Sequence, residues 1–171
     1  MEKACSQTKP QQERDNMLHN GGNNGPKSKY HNTVGIYRVS NKEKYLGQCS
    51  PEYKSRLEAK MMFYLDHSPG VLKWTYESFP IKYVDESSNG KIRNYYIDFV
   101  AVVKTPKGPQ TVWIEVKTES EANFPGPQAR KNPETMKLWI KNQSKWAAAR
   151  KLAESRGHKF IVITEKELNN G

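Results

Sequence analysis

The sequence predicts an α/β domain in which a mixed central sheet carries a helix on each face. Three observations lead there. Two apolar runs rich in β-branched and aromatic residues, N-Y-Y-I-D-F-V-A-V-V from Asn94 and T-V-W-I-E-V-K ending at Lys117, flank the turn K-T-P-K-G-P-Q, the signature of a hairpin. Segments with helical spacing stand before and after that hairpin. A last apolar run, K-F-I-V-I-T over 159–164, follows the second helix. The order α-β-β-β-β-α-β places one helix on each side of the strands.

The chain has 171 residues, enough for one domain with a real core plus a tail. No apolar run approaches the roughly 20 residues of a membrane span, and no signal peptide opens the sequence, so a soluble protein of the cytoplasm is expected. With only Cys5 and Cys49, and with His19, His31, His67 and His158 scattered, neither a disulfide framework nor a zinc site is expected. The net charge of +10 suggests a polyanionic partner, most simply nucleic acid. A lysine surface that merely keeps the protein in solution is the other reading.

Residues 1–29 are polar and biased, too poor in apolar groups to offset their ordering entropy; a disordered tail is expected. Over 30–49 aromatic and basic residues interleave (Tyr30, Tyr37, Arg38, Lys42, Lys44, Tyr45). This is read as an extended arm, either a docking segment or a lead-in that covers part of the core. The main domain spans 50–168. Ser50-Pro51-Glu52 gives a helix start, with Ser as N-cap and Pro in the first turn. The helix runs to about Asp66, where His67-Ser68-Pro69-Gly70 stops it, with Leu57, Met61, Tyr64 and Leu65 as its apolar face and Phe63 and Met62 at the margins. Val71–Tyr76 and Phe79–Val84 read as strands, and 85–90 as the turn before the hairpin. Thr118–Pro133 reads as a mobile loop. The long helix runs from about Pro133 or Glu134 to Ser155, packs through Trp139, Trp146, Ala149 and Ala153, and ends at Arg156-Gly157. Glu165–Leu168 reads as a closing turn.

The hairpin carries acids where buried strands should be apolar: Asp98 in the first run and Glu115 in the second. Lys117 stands two residues after Glu115 and so projects from the same face, and pairing around the turn brings Asp98 within reach. A buried carboxylate is costly unless paired, protonated or bound to metal. Two acids and a lysine on one sheet surface suit a divalent cation and water activation, although solvent-facing acids on a hairpin match the same pattern. Oxygen donors suit Mg²⁺ or Mn²⁺. Glu58, beside the apolar stripe of the first helix, is either a surface acid in an i,i+4 pair or a third site carboxylate. Lys137, Lys141 and Lys145 recur every four residues along the long helix, forming either a solvated face or a row that meets phosphates.

By Lys117 the pattern resembles the core of the PD-(D/E)XK nuclease superfamily. The resemblance narrows through Y-K-S-R-L-E at 53–58, I-E-V-K at 114–117, the block N-Q-S-K-W-A-A-A-R-K-L-A-E-S-R-G-H-K-F-I-V-I-T-E-K-E-L at 142–168 and the lead-in G-I-Y-R-V-S-N-K-E-K-Y-L-G at 35–47. These look like the head completion nucleases of contractile-tailed phages, with a more distant likeness to transposon-end endonucleases. The superfamily motif is degenerate; the N-Q-x-K-W block is much more specific. The resemblance implies a restriction-endonuclease-like fold and a Mg²⁺-dependent (or Mn²⁺-dependent) endonuclease that hydrolyses double-stranded DNA. In it Asp98 and Glu115 hold the metal, Glu58 does so directly or through water, Lys117 positions the attacking water, and Gln143 and Lys145 are auxiliary. Ile97 departs from the family, which often has proline there. It further implies head completion and head–tail joining by processing packaged DNA, portal or neck proteins as partners, and a location in the host cytoplasm during assembly or in the virion neck. Two alternatives remain: a structural joining protein with a vestigial nuclease fold, and a transposition or repair endonuclease that works with a separate recombinase.

Overall fold

The computed structural model describes residues 31–127 and 131–169; the tail expected over 1–29 lies outside the described residues. Strand β1 (His31–Ile36) pairs antiparallel with β2 (Glu52–Ser55). The first helix, α1, is Arg56–His67, so it starts one turn and more later than Ser50-Pro51 suggests. The reason is local. Residues 52–55 satisfy their backbone against β1, while Ser55 caps the helix by accepting from the amide of Glu58 at 3.1 Å. The S-x-x-E spacing of a capping box marks that start. The buried face of α1 is Leu57, Met61, Met62 and Leu65. Met62 is inside and Tyr64 is exposed, so the helix is rotated from the expected stripe.

The main sheet has the order β3–β6–β7–β8, with β3 at Val71–Tyr76, β6 at Phe99–Thr105, β7 at Gly108–Val116 and β8 at Lys159–Ile163. The first two pairings are antiparallel, with β6 and β7 in a hairpin from Phe99↔Ile114 to Thr105↔Gly108, and β8 joins β7 in parallel. The sheet is mixed. Strands β4 (Pro80–Asp85) and β5 (Lys91–Tyr96) form a separate two-stranded ladder joined by a 3₁₀ turn. The apolar run from Asn94 to Val103 is therefore two strands. The chain bends at Ile97-Asp98, leaving the β4–β5 ladder and entering the main sheet.

Even positions of β7 (Val112, Ile114, Val116) face α1, in a core completed by Trp74, Tyr76, Phe99 and Ala101. Trp113, on an odd position, faces the other side, with Ile81, Tyr83, Tyr95, Ile97, Ala149 and Ala153. That second core lies under α3 (Pro133–Ser155), whose buried side chains are Asn142, Trp146, Ala149 and Ala153. Asn132 caps α3 and Pro133 opens it, and Gly157, at φ 72°, follows its end, where a left-handed residue is favoured. Trp139 lies off the buried stripe, edge-on against Phe124 at 5.1 Å. Within the expected loop after Lys117, Glu119–Ala122 forms a short helix, α2, and residues 128–130 lie outside the described residues. The closing turn is a short helix, α4 (Glu165–Asn169). Among the described residues no helix is long and apolar enough to cross a membrane.

The segment over 37–46 lies on its own domain. The buried Asp66 carboxylate accepts from the Tyr37 hydroxyl at 3.0 Å and from the amides of Ser40 and Asn41 at 2.8 and 3.0 Å. Lys44 reaches the carbonyls of Asp66 and Ser68, satisfying the end of α1. The backbone of Lys44 and Leu46 bonds to Trp74, so the chain covers part of the β3 edge.

Candidate active site

Glu115 is the centre of the site. It is 2 % exposed, on the odd-numbered face of β7, where alternation would place an apolar side chain. Its Oε2 accepts from the Tyr95 hydroxyl at 2.5 Å, and its Oε1 lies 3.1 Å from the Lys117 ammonium. Asp98 sits at the bend between β5 and β6, and its Oδ2 accepts the amide hydrogen of Val116 at 2.8 Å. The bend is itself pinned, because the Glu77 amide donates to the Asp98 carbonyl at 3.0 Å. The β6–β7 hairpin and the bend that precedes it thus bring Asp98, Glu115 and Lys117 together.

The electrostatics follow from burial and like charge. Burial, then the charge of Glu115, pushes the Asp98 carboxyl well above the usual range, although Lys117 and the Val116 amide pull the other way. Burial alone would lower Lys117, but Glu115 and Asp98 outweigh it and hold the ammonium well above the ordinary lysine range. Lys117 is therefore a fixed cation at neutral pH. Burial lowers Lys145, against the opposing charge of Glu115, and its Nζ stands 5.4 Å from the centre of the Tyr95 ring.

Glu58 is turned elsewhere. Its Oε2 accepts from the Lys54 amide and the Tyr76 hydroxyl, each at 2.8 Å, and its Oε1 from Ser55 at 3.2 Å. Its charge still reaches Asp98, where it adds to the causes that raise that carboxyl. Among the described residues no three acid, histidine or cysteine side chains are grouped to hold a metal ion as they stand. The donor set still fits a hard cation. The buried Glu115 and the half-buried Asp98, close enough for the charge of one to raise the other, supply oxygen ligands, and Mg²⁺ commonly takes one or two carboxylates, filling its other positions with water and phosphate.

Of the long-helix residues, Lys145 reaches the site and Lys137 is exposed. Lys141 is half-buried and lies near the buried Asp85, whose carboxyl it helps to lower. Gln143 lies two positions from Lys145, about 200° around the helix, so the two point to different sides. Sequence reasoning missed both tyrosines, Tyr95 and Tyr76, each of which donates to an acid of the candidate set. Nothing in the local pattern of Y-Y-I-D distinguishes a tyrosine that bonds a glutamate twenty residues on from one that only packs.

Comparisons with known proteins agree with this architecture. A family model described as the TnsA-like endonuclease N terminal matches residues 68–165. The head completion nuclease of Enterobacteria phage T4 is 33 % identical over 142 residues, which cover 78 % of this chain and 92 % of that protein. The chain therefore belongs to the TnsA-like endonuclease family, is a relative of that phage head completion nuclease, and has the restriction-endonuclease-like fold.

Proposed function

We propose that the protein is a Mg²⁺-dependent (or Mn²⁺-dependent) DNA endonuclease that hydrolyses phosphodiester bonds and acts in phage head completion and head–tail joining by processing packaged DNA. The observation that carries this reading is the buried Glu115 beside the half-buried Asp98, with the Lys117 ammonium 3.1 Å from Glu115. Asp98 and Glu115 would hold the cation, with Glu58 contributing directly or through water. Such a cation, when bound, supplies a nucleophilic water at neutral pH and charge relief on the phosphate. Lys117, on the same strand face as Glu115, is placed to orient the attacking water by hydrogen bonding and to meet the charge that grows on the scissile phosphate. Lys145, suspended over Tyr95, adds a second cation on the side of α3, and Lys137 extends the phosphate track outward. Gln143 is the weaker auxiliary assignment, since it does not share the face of Lys145.

Double-stranded DNA is the proposed substrate, with portal or neck proteins as partners, in the host cytoplasm during assembly or in the virion neck. The match to the T4 protein over 92 % of its length favours this setting over a transposition or repair role. The test is cleavage of linear and supercoiled DNA with Mg²⁺ or Mn²⁺, comparing wild type with Asp98→Ala and Lys117→Ala. Loss of nicking in both variants is expected. Clean wild-type protein that binds DNA without cutting it would replace this reading with that of a joining protein.

A further inference from the structure

Tyr95 belongs to neither the main sheet nor α3, yet it touches the site twice. It comes from β5, in the separate β4–β5 ladder, and is buried at 5 % exposure. Its hydroxyl meets Glu115 Oε2 at 2.5 Å while Lys117 takes Oε1 at 3.1 Å. Both oxygens of Glu115 are thus directed, and the carboxylate cannot turn without losing one of them. An O–H donor on a buried carboxylate is a short, charge-assisted bond, roughly twice as strong as a neutral one. The same ring carries the Lys145 ammonium on its face at 5.4 Å, a cation–π distance, and stands edge-on to Tyr83 at 6.4 Å.

We propose that Tyr95 is a positioning residue of the nuclease: its hydroxyl sets the orientation of Glu115 for cation binding, and its ring sets where Lys145 stands. This rests on the nuclease reading above and adds to it the β4–β5 ladder as a functional part. The ladder docks on α3 through Ile81, Tyr83 and Tyr95, and in docking it delivers the hydroxyl to Glu115. A hydrogen-bond partner behind a metal ligand typically changes metal affinity or activity about 10- to 100-fold.

The full-length chain serves for the test, with Tyr95→Phe and Tyr95→Leu. Phe keeps the ring and the support for Lys145 and removes only the hydroxyl. Mn²⁺ binding to the DNA-free protein is measured by calorimetry, DNA cleavage at saturating Mn²⁺ by initial rates, and folding by circular dichroism melts. Tyr95→Phe is expected to bind Mn²⁺ about tenfold more weakly and to lose kcat at an unchanged KM for DNA. Tyr95→Leu is expected to raise the KM as well, because Lys145 loses its support. A lowered melting temperature with unchanged Mn²⁺ affinity and unchanged kcat would mean that Tyr95 only packs, and would overturn the assignment while leaving the nuclease reading intact. Wild-type protein that binds no Mn²⁺ would overturn both. Wild-type protein that binds Mn²⁺ without cleaving, with weaker binding in Tyr95→Phe, would support the positioning of Glu115 and sink the nuclease reading alone.

Discussion

The carboxylate of Asp98 accepts the amide hydrogen of Val116 at 2.8 Å, tying the acid at a chain bend to the backbone between Glu115 and Lys117. Asn can keep that acceptor and remove the charge. Burial and Glu115 hold the Asp98 carboxyl high, so the folded state keeps this proton more tightly than the unfolded chain does. The contribution of Asp98 to stability is full below the unfolded value and is lost as pH rises through the raised one. Asp98→Asn should therefore stabilise the metal-free protein at neutral pH by about 1–2 kcal/mol. That advantage should grow from acid to neutral pH in thermal melts with chelator, while cleavage falls at least about a hundredfold.

A cation that binds the folded state alone should raise the melting temperature. At a hundredfold excess over its dissociation constant the gain is about 2.7 kcal/mol, several degrees for a domain of this size. Melts with Mg²⁺ or Mn²⁺ should show it in wild type and not in Asp98→Asn. No shift in wild type would count against the metal site.

Asp66 offers a pH test away from the site. Burial works to raise its carboxyl, but the amides of Ser40 and Asn41 and the Tyr37 hydroxyl together outweigh it and leave it below the usual range. That stability is present above the unfolded value and lost as pH falls through the depressed one. Asp66→Asn should cost about 2 kcal/mol at neutral pH, and denaturant titrations should show the gap to wild type closing in acid. A gap independent of pH would contradict the assignment.

The lysines of α3 should separate by exposure. Lys137→Ala should reduce the salt slope of DNA binding by about 1 and leave kcat unchanged, since it is exposed and far from Glu115 along the helix. Lys145→Ala should lower kcat instead. Binding titrations over a salt series, with initial rates on the same variants, distinguish the two. Equal effects would mean that the row acts as one surface.

The sequence showed more of the chemistry than of its geometry. Glu115 and Lys117 share a face because strand alternation is a local rule, and the β6–β7 hairpin follows from its turn. α3, from Pro133 to Ser155, was legible to within a residue, because its proline and terminal glycine are local signals. The start of α1 was misjudged because two serines could each serve as cap, and pairing with β1, a distant segment, chose Ser55. The run from Asn94 to Val103 looked like one strand because apolar content does not record which partner each half will find.

By itself, the sequence determined most of the elements, the acids out of place in an apolar hairpin, and the excess of positive charge. Only the tertiary structure decided that Asp98 lies at a bend and bonds the backbone of β7, that Glu58 turns toward Tyr76, and that Tyr95 of a second ladder holds Glu115. Periodicity and capping act over a few residues and are written in neighbours. Burial of a charge is settled by whichever distant groups reach it, and those contacts exist only once both cores have closed on the sheet.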